Sequence, residues 1–466
     1  MHNKYLLASF FDNLNLEKMT VITRFAPSPT GKLHIGNVRV ALVNWLYAQK
    51  YNGNFILRID DTDRDRSKVE YHEAIIKDLQ WLGINWNSSF LQSTRFNKYA
   101  AVKQYLISSG RLYECYETPE MLEIERKRQL TSGYPPIYSR KSLELTTAQK
   151  VQLQAEGYKV HYRFLIDRNK PIIWNDLIKG EIKYDGSNIS DPIVIKEDGT
   201  MIYMLCSVID DIEYRISHII RGEDHITNTA IQIQMFEALG AAIPQLGHLS
   251  LIKSDSGKIS KRIGGFTIDY LRDQLGIEPM AVNNLLALSG TSNNVDTYFS
   301  LESLITKFDL SAFSKSTIIY NENELVTLNH KLLVNTEYDT IKHRLTAIGL
   351  SDVTKEFWLA VRHNLNTLND IKIWWQICYL PTLDKFQEQD AEFLKLAAEL
   401  LPSGKLTDNS WDDWVQNIIK ATNRRGKALF MPLRLALTGI TYGPELKYLL
   451  PLIGGEEVRA RLLRYQ

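Results

Sequence analysis

Apolar residues follow two different periods along the first half of the chain. Thr20 to Phe25 is a β-branched run of strand length. After a turn rich in Pro and Ser, Val38, Leu42, Trp45 and Leu46 recur at helical spacing, which predicts an amphipathic helix from about Ile35 to Tyr51. Phe55 to Asp60 reads as a second apolar strand, and Ile75, Leu79 and Leu82 share one face of a helix over Glu73 to Gly83. Strand, helix and strand with a crossover of this length predict a right-handed βαβ unit in a parallel sheet. From about Leu91 to Ile195 the pattern turns more polar, with short hairpin-like strands at Val160 to Ile166 and Ile182 to Tyr184, and predicts an α+β insertion. The α/β pattern resumes with Met201 to Ile212, a strand over Ile216 to Arg221, a helix over Thr229 to Leu239 and a strand over Leu246 to Ile252. Beyond Ser260 the period is mainly helical, and Trp374, Trp375, Trp411 and Trp414 on it read as core. The expectation is a multidomain chain: an N-terminal α/β parallel-sheet domain with an α+β insertion, then a mainly α-helical C-terminal half.

Composition narrows the class only a little. The 466 residues allow roughly two to four domains. Lys and Arg number 55 against 54 Asp and Glu, so a nucleic-acid partner would need a local basic patch rather than a basic whole. The cysteines Cys115, Cys206 and Cys378 are too scattered for a disulfide framework, which points to a reducing cytoplasm. No apolar run of about 18 residues predicts a membrane span. Residues 1–18 lack the pattern of a secretory signal and are expected to be a disordered or non-native extension, with translation starting at Met19.

Two segments carry candidate chemistry. In Arg24-Phe-Ala-Pro-Ser-Pro-Thr-Gly-Lys-Leu-His-Ile-Gly-Asn37 a strand ends, Pro and Ser restrict the turn, and Gly31 and Gly36 allow close backbone approach. The helix that follows turns its free N–H groups and positive dipole end to the same place, a ready site for a triphosphate, with His34 at its mouth. The second segment is Lys253-Ser-Asp-Ser-Gly257 followed by Lys258-Ile-Ser-Lys-Arg262. Its small residues make a loop that can close over a triphosphate, and its two lysines can neutralise charge as pyrophosphate leaves.

Together these segments resemble the paired signatures of class I aminoacyl-tRNA synthetases, His34-Ile-Gly-Asn37 standing for the first and Lys258-Ile-Ser-Lys-Arg262 for the second. The resemblance is closer to the glutamyl-tRNA synthetases of bacterial type. Arg24 to Gly31, Arg58-Ile-Asp-Asp-Thr-Asp63, Ile219-Ile-Arg-Gly-Glu-Asp-His225, Ser260-Lys-Arg262 and Pro432-Leu-Arg-Leu-Ala-Leu-Thr-Gly439 look like that family in order, over essentially Met19 to Gln466. The glutaminyl relatives carry a Pro-Glu-Pro-Asn form of the first turn, which is missing here.

The resemblance implies a Rossmann-like catalytic domain over residues 19–92 and 196–250. It implies an insertion over 93–195 that holds the tRNA acceptor end, a stem-contact region over 251–330 and a helical anticodon-binding domain over 331–466. It implies a cytoplasmic, monomeric ligase that joins L-glutamate to tRNA(Glu) using ATP with Mg²⁺, with tRNA(Gln) as a second candidate acceptor. In this family glutamate activation waits for bound tRNA. Some members hold zinc in the insertion; here Cys115 stands beside Glu117 with no later Cys before Cys206, and no structural zinc is expected.

Site roles follow from what glutamate demands. Its two carboxylates need cations, for which Arg24 and Arg221 are the planar, bidentate candidates, with the division between them open. Asp60 is the candidate partner of the ammonium, with Ala26 and Ser28 lining the same turn and Tyr203 offering a hydroxyl. By resemblance Arg24 reaches the side-chain carboxylate, and Ser207 replaces a glutamate-contacting Asn. ATP falls to His34, Gly36, Asn37, Glu223, Lys258, Ile259, Ser260 and Lys261, of which His34, Lys258 and Lys261 would stabilise charge during the reaction. Arg424, Arg425, Lys427 and Arg434 are candidate tRNA contacts. Against these roles, Arg58, Asp61 and Asp63 could form only a surface ion-pair network, with even weight for Asp61 and Asp63, Asp210 and Asp211 could merely cap the next turn, and Tyr203 could be plain core. A truncated relative that modifies a tRNA base, a plain nucleotidyltransferase of this fold and an inactive tRNA-binding paralogue remain rivals. The stretch beyond about His330 argues against the first two, and His34, Lys258 and Lys261 against the third.

Overall fold

The computed structural model describes residues 20–254, 267–292, 296–380 and 390–464. Residues 1–18 and the loop carrying Lys258 to Arg262 lie outside the described residues. Two compact units divide the chain: one runs up to Tyr270 and takes in Asn283–Asn321, and the other joins Leu271–Val282 to the chain from Glu322 onward.

The first unit opens with β1 (Ile22–Phe25), α1 (Ile35–Lys50), β2 (Asn54–Ile59), α2 (Val69–Trp81) and β3 (Ser88–Leu91). β1 and β2 pair in parallel with Thr23 opposite Phe55, and β2 and β3 with Ile59 opposite Leu91. Thr23, Arg24 and Phe25 are all buried, as are Phe55 to Ile59, so both faces of these strands are covered, as parallel strands require. α1 supplies one cover through Val38, Ala41, Leu42 and Leu46, each fully buried. α2 begins a turn earlier than the apolar period suggests, because its first turn is exposed and has no apolar spacing to read.

The inserted stretch contains α3 (Phe96–Ser108), β4 (Leu112–Cys115), α4 (Pro119–Thr131), α5 (Thr147–Ala155), β5 (His161–Phe164), β6 (Ile172–Asp176), β7 (Gly180–Tyr184) and β8 (Ile193–Ile195). β4, β5 and β8 form their own antiparallel sheet. β6 and β7 do not join it. The chain continues through α6 (Tyr203–Glu213), β9 (His218–Gly222), α7 (Ile226–Ala238) and β10 (Gln245–Leu249). β10 pairs in parallel with β9 on one side and with β6 on the other, and β7 closes that edge as a hairpin. β9 in turn runs beside β1: Ser217 N–H donates to Ile22 O at 3.0 Å, and its hydroxyl accepts from Ile22 N at 2.7 Å. Asn44 of α1, fully buried, donates to Ile220 O across the same junction. Beyond it β11 (Ile252–Ser254) pairs with β12 (Ile318–Tyr320).

The second unit is helical: α8 (Glu322–Asn335), α9 (Tyr338–Ala347), α10 (Lys355–Val361), α11 (Ile371–Tyr379), α12 (Ala391–Glu399), α13 (Asp408–Thr422), α14 (Lys427–Thr438), α15 (Leu446–Ile453) and α16 (Gly455–Leu463). Its core is a continuous apolar cluster that includes Phe357, Trp358, Trp374, Trp414, Ile418, Leu433 and Leu449. Trp375 and Trp411 pack at its margin. Trp358 and Trp414 bury their rings and still satisfy their indole N–H groups, on Thr336 O and Ala397 O. Gly443 is required where it stands, since a Cβ would lie 1.9 Å from the Trp374 ring. Among the described residues no helix is long and apolar enough to cross a membrane.

Candidate active site

The ends of β1, β2 and β9 and the start of α1 open into one cavity of about 720 Å³. Arg24, Ala26, Ser28, Gly31, His34, Gly36, Asn37, Asp60, Tyr203, Ser207 and Arg221 all line it. This is where open parallel sheets place their ligands, outside the carboxyl ends of the strands.

At the mouth His34 caps α1. Its Nδ1 accepts the Gly36 N–H at 3.1 Å, so the ring proton is on Nε2, free to donate outward. A Cβ on Gly36 would press on the imidazole at 3.0 Å, so this glycine makes room for His34. A Cβ on Gly31 would meet no atom within 4 Å, so its side of the turn is open.

Deeper, the guanidiniums of Arg24, Arg58 and Arg221 are buried near the carboxylates of Asp60 and Asp211. Arg58 Nε donates to Asp60 at 2.6 Å, and its Nη1 to Asp211 at 2.8 Å. Arg24 reaches Asp211 less closely, at 3.3–3.4 Å. Burial, opposed by Arg58, pushes the Asp60 carboxyl up to about 6. Ser207, buried, accepts from Arg58 Nη2 at 3.0 Å. Asp210 comes within 4.0 Å of Arg58 Nε and accepts from Arg95, Gln92 and Tyr99.

Arg221 differs. Among the described residues it has no carboxylate partner. Its Nη2 donates to Thr229 Oγ1 at 2.5 Å and Gln232 Oε1 at 2.7 Å, and its Nε is buried with no partner. Burial, then the charge of Arg24, pushes it down to about 10. Tyr203 accepts from Asn228 at 2.6 Å and meets His225 edge-on, which fixes its hydroxyl at the cavity wall.

Not every expected residue faces the cavity. Glu223 bonds to Lys179 at 2.5 Å and accepts from Leu251 N at 3.0 Å. Lys258, Ile259, Ser260 and Lys261 are outside the described residues. Of the four candidate tRNA contacts, Arg425 and Lys427 are exposed. Arg424 pairs with Asp390 at 2.6 Å over the Phe393 ring, and Arg434 donates to the carbonyls of Tyr442 and Pro444.

Some residues escape the sequence reading. Arg58 is buried rather than a surface ion pair, and Asp211 holds two arginines rather than capping a turn. A signal existed: both acids of Val208-Ile-Asp-Asp-Ile212 fall in a helix that is apolar nearly all round, where charge must be paired. His161, on β5, joins Cys115 and Glu117 within 4.8 Å, a group that could hold a metal ion. Tyr138 donates to Glu117 at 2.7 Å and lies 3.6 Å from the Cys115 sulfur, and burial pushes that thiol up to about 11.

Residues 20–327 match the family model for tRNA synthetases class I (E and Q), catalytic domain, and residues 339–465 match the anticodon binding domain. The chain is 98% identical over 448 residues to glutamate–tRNA ligase 1 of Orientia tsutsugamushi strain Ikeda, covering 96% of this chain and all of that one. It is 55% identical over 442 residues to glutamate–tRNA ligase 1 of Rickettsia rickettsii, covering 95% and 99%. A crystal structure of a glutamate tRNA ligase from Elizabethkingia meningosepticum in complex with its amino acid superposes with a TM-score of 0.84 at 27% identity, covering 96% and 99%. The fold and the cavity at its switch of strand order are those of a class I aminoacyl-tRNA synthetase. Within that class, the chain belongs to the glutamate–tRNA ligase family.

Proposed function

We propose that this chain activates L-glutamate with ATP and transfers it to the 3′-terminal adenosine of tRNA(Glu). The observation that carries the reading is an unmatched cation: among the described residues buried Arg221 has no carboxylate partner, and it lines the cavity. A ligand with an extra carboxylate balances it, and Asp60 offers the matching anion for an ammonium. Arg24 keeps a looser hold on Asp211 and is the second candidate for a glutamate carboxylate. Ala26, Ser28, Tyr203 and Ser207 complete the amino-acid end, the last through its bond to Arg58.

ATP, carried with Mg²⁺ as the substrate complex, would take the end of the cavity at His34, Gly36 and Asn37, where Nε2–H of His34 and the helix start meet phosphate. Lys258 and Lys261, with Ile259 and Ser260 between them, would cover the triphosphate. Glu223 would act indirectly, by bracing Leu251 at the start of the strand that leads to that loop. A glutamate carboxylate oxygen attacks the α-phosphorus in line, pyrophosphate leaves, and the terminal ribose hydroxyl of tRNA then attacks the acyl carbon and releases AMP. No residue needs to become covalently attached. Catalysis is positioning and charge stabilisation.

The domain assignment follows: catalytic parts at 19–92 and 196–250, an acceptor-end insertion at 93–195, a stem-contact region at 251–330 and anticodon binding at 331–466. Arg425 and Lys427, exposed, are the stronger tRNA candidates beside Arg424 and Arg434. Whether tRNA(Gln) is also charged is settled by comparing the two purified tRNAs. A monomer in the cytoplasm is proposed. No structural zinc is proposed: the group of Cys115, Glu117 and His161 offers three ligands rather than the four of a closed structural site, and Tyr138 and Ser142 already engage Glu117.

ATP–pyrophosphate exchange with glutamate, run with and without tRNA, tests the reading. Exchange that depends on glutamate is expected, and none under either condition would overturn it. Lys261→Ala should slow adenylate formation by about 100-fold while glutamate affinity changes little.

A further inference from the structure

Arg221 is held in place without being neutralised. Behind it runs a buried chain of four side chains: Asp176 at the end of β6, His248 on β10, Thr229 on α7 and Arg221 on β9. Asp176 Oδ2 lies 2.5 Å from His248 Nδ1, His248 Nε2 lies 2.8 Å from Thr229 Oγ1, and Thr229 Oγ1 lies 2.5 Å from Arg221 Nη2. The direction of each bond can be worked out from one end. The Oδ1 atom of Asp176 already accepts the N–H groups of Ile178, Lys179 and His248, which fixes the carboxylate. A carboxylate only accepts, so His248 Nδ1 carries the ring proton. The imidazole is fully buried, which disfavours its charged form, so its Nε2 is a bare acceptor and at 2.8 Å takes the Thr229 hydroxyl proton ahead of the more distant His225 O at 3.2 Å. That turns the lone pairs of Thr229 toward Arg221, which its guanidinium fills. Gln232, anchored by its own donation to Met204 O, fixes the second Nη2 hydrogen.

We propose that Asp176, His248 and Thr229 are positioning residues for glutamate binding, acting through Arg221. The arrangement has a clear physical purpose. A carboxylate placed directly on Arg221 would fix it but cancel its attraction for substrate, as Asp211 and Asp60 do for Arg58. Here the carboxylate sits two side chains away. Geometry is transmitted through neutral groups, and the cation remains for the ligand. The proposal rests on the reading of Arg221 as a glutamate contact.

The test uses the full chain in tRNA-supplemented exchange, with KM for glutamate and for ATP measured separately. His248→Ala should raise KM for glutamate by about 10-fold and leave KM for ATP within about twofold. His248→Gln places an amide oxygen near the position of Nε2 and should restore glutamate KM to within about threefold of the parent. His248→Asn reaches only the Nδ1 position and should behave like alanine. Equal changes in both KM values, or Gln and Asn behaving alike, would overturn the relay, and that pair decides the matter even where the alanine variant does not fold. Arg221→Ala is the control: if it leaves glutamate KM unmoved, the Arg221 reading fails and the relay fails with it. If Arg221→Ala raises that KM and the His248 variants do not, the relay alone is wrong.

Discussion

The two compact units bury different things. In the catalytic unit the buried polar side chains include Arg24, Arg58, Asp60, Asp176, Asp210, Asp211, Arg221 and His248. In the helical unit, among the described residues, they are Asn329, Thr438 and Arg461, set in an apolar core around Trp358 and Trp414. Desolvating a charge costs several kcal/mol per ion, which pairing offsets only with good geometry, so buried charges gather mainly at the candidate site. One unit spends stability on a site, and the other draws stability from packing.

The largest effect that could break this contrast is on the packing side. Trp414→Ala should destabilise the helical unit by about 3–5 kcal/mol in urea unfolding. A loss under about 1 kcal/mol would mean that the core is not what holds this unit together. Next, Arg221→Ala should lower kcat/KM for glutamate by about 100-fold, with little change in the unfolding midpoint, because the residue removed is a buried cation without a direct counter-charge. A large fall in stability would place Arg221 among the scaffold residues instead. A smaller effect comes from Asp60, whose carboxyl sits at about 6 and must be ionised to hold an ammonium. Glutamate kcat/KM should therefore fall as pH drops through about 6, by up to tenfold per unit, and Asp60→Asn should be weaker throughout and flat over that range. A parent profile without this limb would remove Asp60 from ammonium binding. The smallest effect is at the basic turn. Arg424→Ala should cost about 1 kcal/mol or less through its half-exposed pairing with Asp390. Arg425→Ala and Lys427→Ala should leave stability alone and reduce the salt dependence of tRNA binding by about one each in slope.

The parts of the molecule legible in sequence were those with local rules. The turn from Arg24 to Asn37 and the helix after it are specified by Pro, Gly and the period of Val38, Leu42 and Leu46, and the helix starts at Ile35 as that period predicts. Family resemblance then named Arg24, Asp60 and Arg221, which the fold brings to one cavity. What was not legible depends on partners far apart in sequence. Arg58 and Asp211 meet across 153 positions, and Asp176 and His248 across 72. No local pattern encodes such pairs, although a lone His or a double Asp inside an apolar element marks a place where a partner must exist.

The placement of β6 also decides how this enzyme could be taken apart. The insertion looks like a cassette in sequence, yet one of its hairpins completes the catalytic sheet along β10. Cutting at the expected borders would leave β10 as an open edge prone to pairing with other chains. A chimera that exchanges the insertion should therefore carry β6 and β7 with the recipient's core and swap only the separate sheet of β4, β5 and β8 with its helices. Modularity here runs along hydrogen-bonded sheets rather than along the order of the chain.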